Sequence, residues 1–342
     1  MYISAYNSSK ITILNSVLIM MVLYIHSYYL EGEQYQGALA VQRFFGGTAF
    51  CGTANRLFFF LSGILFFKGV MQVKDCFGKM KKRIKSLLIP YLIWNIIFVL
   101  WYVVLSFIPG VKSFVNSDIM SNFDTLWNGI KFLWIAPASF PLWFLRDLMC
   151  MVVLSPIIFL FIKYLRIWGV RLFLIVSLYF QNSGTFFVLG AAVSMLSSFE
   201  KLEKYLSLLV VIVSSVLFVI ACSYVCLQSE DYVVPSILNN IMAYTGMIMI
   251  WRGYDYIAKG RILSKKSFWY GIMGYSFFIY LFHEPTFNII KKIPLRVLGD
   301  SEPVVIFFFL INPIIMAFVA IGIAKCLQKI MPNVYSVLVG GR

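Results

Sequence analysis

The feature that most constrains this chain is a repeated alternation: apolar runs of about 20 residues divided by short polar or basic segments. A run of that length, wound as an α-helix, crosses the hydrocarbon core of a bilayer. Inside lipid every backbone N–H and C=O must find a partner within the protein, so continuous apolar runs of this kind read as helices. The strands of a membrane barrel, about 10 residues long and alternating in polarity, do not describe them. The chain is 61% hydrophobic and 13% charged, whereas soluble domains average about 45–50% and about 25%. A soluble fold so apolar would expose large aggregating patches. The expected fold is all-α: one polytopic transmembrane helical bundle of about ten helices, forming a single domain over residues 1–342.

The helices are expected at roughly 11–30, 54–73, 86–107, 141–162, 170–181, 184–198, 205–227, 234–251, 269–290 and 303–326. Gln181, Asn182, Ser183 and Gly184 interrupt one run, which predicts a tight hairpin of two short helices. With the N-terminus placed in the cytoplasm, 21 of the 29 Lys and Arg residues fall in inside segments. The other eight are Arg43, Arg56, Lys112, Lys131, Arg146, Lys291, Lys292 and Arg296. This asymmetry predicts an even number of crossings with both termini cytoplasmic. Lys10 ahead of the first apolar run resembles a secretion signal. No small-residue cleavage site follows it and the run is long enough to span, so a retained helix is expected. Of the outer loops, 108–140 contains an amphipathic stretch from Phe123 to Ile135 whose Trp127 and Trp134 suit the membrane interface.

The net charge of +15 does not imply nucleic-acid binding, because the basic residues sit between apolar blocks where topology places them. Six cysteines form no CxxC or Cys/His cluster and read as apolar packing residues; with two histidines far apart, no metal site is expected.

Ionisable groups inside the bilayer cost about 2.5–3.5 kcal/mol each at a helix centre, so they mark pairs or function. His26 lies fifteen residues beyond Ile11, roughly 22 Å along its helix, in the outer half of the membrane. It is a candidate general base; a histidine bonded to a helix carbonyl or to Tyr24 is the other reading. Arg56 precedes Leu57–Phe60, and Arg146 and Asp147 follow Trp143. Interfacial snorkelling and helix-end roles compete with function at these positions. Adjacent helical residues point about 100° apart, so Arg146 and Asp147 are not required to pair. His283 and Glu284 precede Pro285, which frees a carbonyl one turn back and predicts a polar cluster at a kink. The basic run from Lys79 to Lys85 suits either anionic lipid or a phosphorylated ligand.

Several stretches together resemble the acyltransferase-3 family of integral membrane acyltransferases. They are Ile13 to Ser27, ending in His26; Leu57-Phe58-Phe59-Phe60-Leu61-Ser62-Gly63; Lys81 to Tyr91; Leu142 to Leu148; and Tyr275 to His283. The resemblance runs in order from about residue 9 to 326. It implies a ten-helix fold in the cytoplasmic membrane that moves an acyl group, usually acetyl, from cytoplasmic acyl-CoA. The acceptor is a hydroxyl of a cell-surface polysaccharide or its lipid-linked precursor. In the family the first-helix histidine assists attack on the thioester, and an arginine normally sits eleven positions before it. Here that position is Asn15. Eleven residues make about three turns plus 20°, so Asn15 and His26 share a face roughly 16 Å apart. Asparagine keeps hydrogen bonding but lacks the charge and fork of a guanidinium. Lys10 is close enough in sequence to supply charge near a diphosphate.

The resemblance assigns His26 and Arg146 to catalysis, and Asn15, Lys82, Arg83 and Lys85 to the acyl-CoA donor. Arg56, Trp143, Asp147, His283 and Glu284 are assigned to the acceptor. The implied partners are membrane lipid and a glycan; a homo-oligomer stays open. A polysaccharide transporter and a catalytically inactive member of the same fold are the competing readings.

Overall fold

The computed structural model describes residues 4–27, 36–47, 49–108, 125–135, 137–179, 184–196, 203–228, 233–262, 264 and 266–341. Among them every regular element is a helix and no strand occurs. In chain order these are α1 Ala5–His26, α2 Gln36–Phe45, α3 Thr53–Phe67, α4 Val73–Arg83, α5 Ile89–Ser106 and α6 Leu126–Ile130. There follow α7 Trp143–Val153, α8 Ser155–Ser177, α9 Gly184–Leu196, α10 Leu208–Cys226, α11 Ser236–Ala258, α12 Phe268–Leu298, α13 Glu302–Ile330 and α14 Pro332–Leu338. A π-helical turn, Ile84–Leu88, joins α4 to α5. Among the described residues, α1, the joined α4–α5 rod, α10 and α13 are each long and apolar enough to cross a membrane. A pair bent by 80°, Trp127–Ile135 with Phe140–Val153, makes a fifth. Leu209, Ile212, Val216 and Ile220 form an exposed apolar stripe along α10, as a lipid-facing helix requires.

Prolines set several boundaries that the apolar runs do not reveal. The run expected as one helix over 141–162 is split at Leu154. Pro156 has no amide to continue the ladder, and the Leu154 amide turns back to the Cys150 carbonyl at 2.9 Å. The second piece, α8, runs on to Ser177, so the separate helix expected at 170–181 is its continuation beyond a kink at Arg166. Gln181, Asn182 and Ser183 lie outside the described residues, as does Phe123; Gly184 opens α9, which packs on α8. Pro313 inside α13 leaves the Phe309 carbonyl, four residues back, without its amide. Ser27 Oγ donates to that carbonyl at 2.8 Å, and Tyr24 OH donates to the Leu310 carbonyl at 2.9 Å. The end of α1 is thereby pinned to α13.

The most intimate pair is α3 with α9. A Cβ at Gly63 would strike the Phe187 carbonyl, and one at Gly190 the Phe60 carbonyl. Only glycine lets the two backbones touch, the usual means of packing helices where lipid supplies no hydrophobic drive between them. The helix α1 is enclosed by α12, α3 and α13, with Leu18 and Leu23 fully buried. Its first turns are latched by Lys10, which is completely buried. Lys10 Nζ pairs with Asp255 at 2.7 Å and Glu203 at 3.2 Å and lies 3.8 Å over the Trp251 ring. Tyr6 and Arg252 also bond Asp255. The expectation that Lys10 is available to a diphosphate is therefore corrected: two carboxylates already hold its charge.

Candidate active site

The site grows from two helical stripes. On α1, Asn15, Ile19 and Val22 line a cavity of about 240 Å³, and His26 stands one turn further on the same face. On α12, Met273, Ser276 and Tyr280 line the same cavity, and His283 and Glu284 continue that stripe. Because α1 and α12 pack together, both stripes lead from the cavity to one place.

There the polar groups converge. The rings of His26 and His283 lie 4.9 Å apart, tilted at 57°. Glu284 Oε1 is 3.9 Å from His26 Nδ1 and also lies within the reach of Asn288, whose amide donates to Oε2 at 2.7 Å. Pro285 forces its predecessor out of helical geometry: Glu284 has φ −103° and ψ 137°. His283 Nδ1 contacts the Tyr280 carbonyl at 2.7 Å and the Ile279 carbonyl at 3.3 Å. A carbonyl partner makes Nδ1 the donor, which leaves Nε2 as an acceptor. That atom is buried and has no partner among the described residues. Lys291, seven residues past Glu284, donates to the His26 carbonyl at 2.8 Å and so caps the end of α1. The cluster thus holds a histidine with a carboxylate beside it, an orphan imidazole acceptor and an ammonium.

The cavity runs from the basic run toward this cluster and stops at Val22 and Tyr280, about one turn short of it. Arg83 lines it together with Asn15 and Ser62, while Phe58, Phe144 and Tyr280 line it as aromatics. Asn15 and Arg83, expected on separate grounds to meet the donor, therefore share one space. Lys82 and Lys85 are exposed on either side of Arg83.

The remaining expected residues lie elsewhere. Arg146 and Asp147 do pair: Nε and the second guanidinium nitrogen both reach Asp147 Oδ1 at 2.8 Å. The flexible arginine chain bridges the angle between neighbouring helical positions. Arg146 also donates to the carbonyls of Trp134, at 3.3 Å, and Ile135, tying α7 to the π-helical turn Lys131–Ile135. Trp143 packs on Phe144, which faces the cavity. Arg56 donates to the Gly52 carbonyl at 2.7 Å and to Asn239 at 2.5 Å, on the α11 side of α3. Sequence reasoning missed Lys291, which it counted only as an outer charge, although its seven-residue spacing from Glu284 puts it on the same helical face. It also missed Asn55 and Ser62, a polar pair at the same spacing on the apolar α3, both lining the cavity.

Apolar helices enclosing an internal cavity, with a half-buried histidine–carboxylate cluster one turn beyond it, define a multi-pass membrane protein. A family model described as an acyltransferase domain, of the acyltransferase-3 family, matches residues 10–324. The chain belongs to that family and is a membrane acyltransferase. No curated protein and no solved structure matches the chain.

Proposed function

We propose that this acyltransferase takes an acyl group, acetyl by preference, from cytoplasmic acyl-CoA. The acceptor is a hydroxyl of a cell-surface polysaccharide or its lipid-linked precursor. The observation that carries this reading is the continuous stripe on α1, in which Asn15, Ile19 and Val22 line the cavity and His26 follows one turn beyond. Arg83 and Asn15 suit the polar end of the donor, and the apolar length beyond them suits its arm. The charge asymmetry supports ten crossings of the cytoplasmic membrane with both termini inside.

In this scheme an imidazole nitrogen of His26 takes the proton of the acceptor hydroxyl as its oxygen attacks the thioester carbonyl. The tetrahedral intermediate carries an oxyanion, and the Lys291 ammonium beside His26 is the nearby positive charge that favours it. Collapse breaks the carbon–sulfur bond and expels the coenzyme A thiolate, which recovers the proton from His26. The Glu284 carboxylate, 3.9 Å from His26 Nδ1, closes onto the imidazole as it takes up the proton. His283 Nε2, an acceptor without a partner among the described residues, accepts a hydrogen bond from the glycan. Arg146, Asp147, Trp143 and Arg56 shape the region through which the acceptor arrives.

Purified protein in lipid discs should transfer labelled acetyl from acetyl-CoA to a surface glycan. His26→Ala should lower the rate by about 10²–10⁴-fold with the thermal midpoint kept; transfer at the wild-type rate would remove His26 from the mechanism. Coenzyme A at 100 times its dissociation constant should stabilise the fold by about 2.7 kcal/mol. Absence of that shift would favour a transporter or an inactive member instead.

A further inference from the structure

A second cavity, of about 290 Å³, lies where α3 and α9 end beside the kink in the middle of α8; Phe67, Gly69, Lys163, Arg166, Ser194 and Met195 are among its lining residues. It is distinct from the first. Phe66 and Phe187 face the first cavity, whereas Phe67 and Ser194 face this one. From Phe187 to Ser194 is about 10 Å along α9.

Three independent features point to an anion. Lys163 and Arg166 line the cavity one helical turn apart. Arg166 holds φ 48° and ψ −141° in the middle of α8, a conformation that costs a non-glycine residue about 1–3 kcal/mol and persists where the surroundings impose it. Ser194 is 7% exposed, and its Oγ has no hydrogen-bond partner among the described residues, not even the carbonyl one turn back that a helical serine ordinarily uses. A buried hydroxyl left without a partner beside two cations is a donor awaiting an acceptor. Two carbonyls at the end of α3, those of Phe66 and Lys68, are each held by Lys79 Nζ at 2.5 Å. The helix end bordering the cavity therefore does not oppose negative charge.

We propose that this cavity binds a phosphate group, held by Lys163 and Arg166 with the Ser194 hydroxyl donating to one of its oxygens. The shared chemistry admits two sources: the headgroup of an anionic phospholipid, or a soluble phosphate. The test uses the full chain in phosphatidylcholine discs without coenzyme A and reads the thermal midpoint. In one arm part of the lipid is replaced by phosphatidylglycerol. In the other, inorganic phosphate replaces chloride at matched ionic strength. At least one arm should raise the midpoint, and the responding arm names the source. Lys163→Gln with Arg166→Gln should abolish the rise. Ser194→Ala should weaken the response by about fivefold in apparent affinity. Arg166→Gly guards against misfolding, because glycine adopts this backbone freely: it should unfold at a higher temperature than wild type in neutral discs and yet lose the response. No rise in either arm, or an undiminished rise in the double variant or in Arg166→Gly, would overturn the proposal.

Discussion

At the scale of single residues, the proposed function gives the cluster around His26 to the acceptor and Arg83 in the cavity to the donor. Glu284→Gln keeps the shape but removes the charge beside His26. It should lower kcat by roughly tenfold to a hundredfold while leaving the KM for acetyl-CoA unchanged; a change confined to KM would place Glu284 in donor binding. Arg83→Gln should do the reverse, raising the donor KM by about tenfold through loss of a charge-assisted bond, with kcat kept. Steady-state kinetics on the two variants separates the roles. His26 and Asn15 were singled out by the resemblance to the family's first helix, and helical periodicity then put them on one face. The sequence also singled out Arg83, in a basic run that leads directly into an apolar one, and it lines the cavity. Lys291 and Ser62 were not legible, because a charge near a helix end and a serine in an apolar run are ordinary where nothing shows which neighbour they face. The pairing of Arg146 with Asp147 was hidden for a related reason: backbone angles say little about where a long side chain ends.

At the scale of elements, contacts between backbones matter more than side-chain size. A Cβ at Gly63 or Gly190 meets a carbonyl of the facing helix, so Gly63→Ala should force α3 and α9 apart and cost about 1–3 kcal/mol. Gly253, on α11 with open space around it, is the control: Gly253→Ala should be neutral or stabilise by about 0.5–1 kcal/mol. Thermal midpoints in the same detergent compare the two. Apolar run length located most elements but misplaced their joints. The α7–α8 break, the α12 kink and the junction of α4 with α5 depend on one proline amide, one pre-proline residue and one π-helical turn. None of these disturbs the average hydropathy that marks a span. The closure of the Phe309 carbonyl by Ser27 was equally invisible, since it joins residues from opposite ends of the sequence.

At the scale of the whole molecule, the two ends of the bundle are held by different forces. One is an ionic latch in which Lys10 binds Asp255 and Glu203. Lys10→Met should destabilise the protein by about 1–3 kcal/mol, because half-buried Glu203 loses its cation while Asp255 keeps only Arg252 and Tyr6; adding Glu203→Gln should recover part of the loss. The other end is held by hydrogen bonds to backbone carbonyls, from Ser27 and Tyr24 to α13 and from Lys291 to the end of α1. The charge pattern made this latch partly legible: Lys10, Arg252 and the segment holding Glu203 were all assigned to the same side. Between the two ends, the cavity stops at Val22, one turn short of His26. That turn is about 6 Å long, set against a hydrocarbon core of about 30 Å. On the proposed reading, hydrated ligands approach this turn from both faces, so it is the thinnest insulation in the membrane the protein occupies. The catalyst must also be a seal, and the packing around Val22 is under a demand that has nothing to do with turnover. Val22→Gly in liposomes should dissipate a pH gradient faster than wild type even with no substrate present. Equal leakage would locate the barrier elsewhere along the bundle.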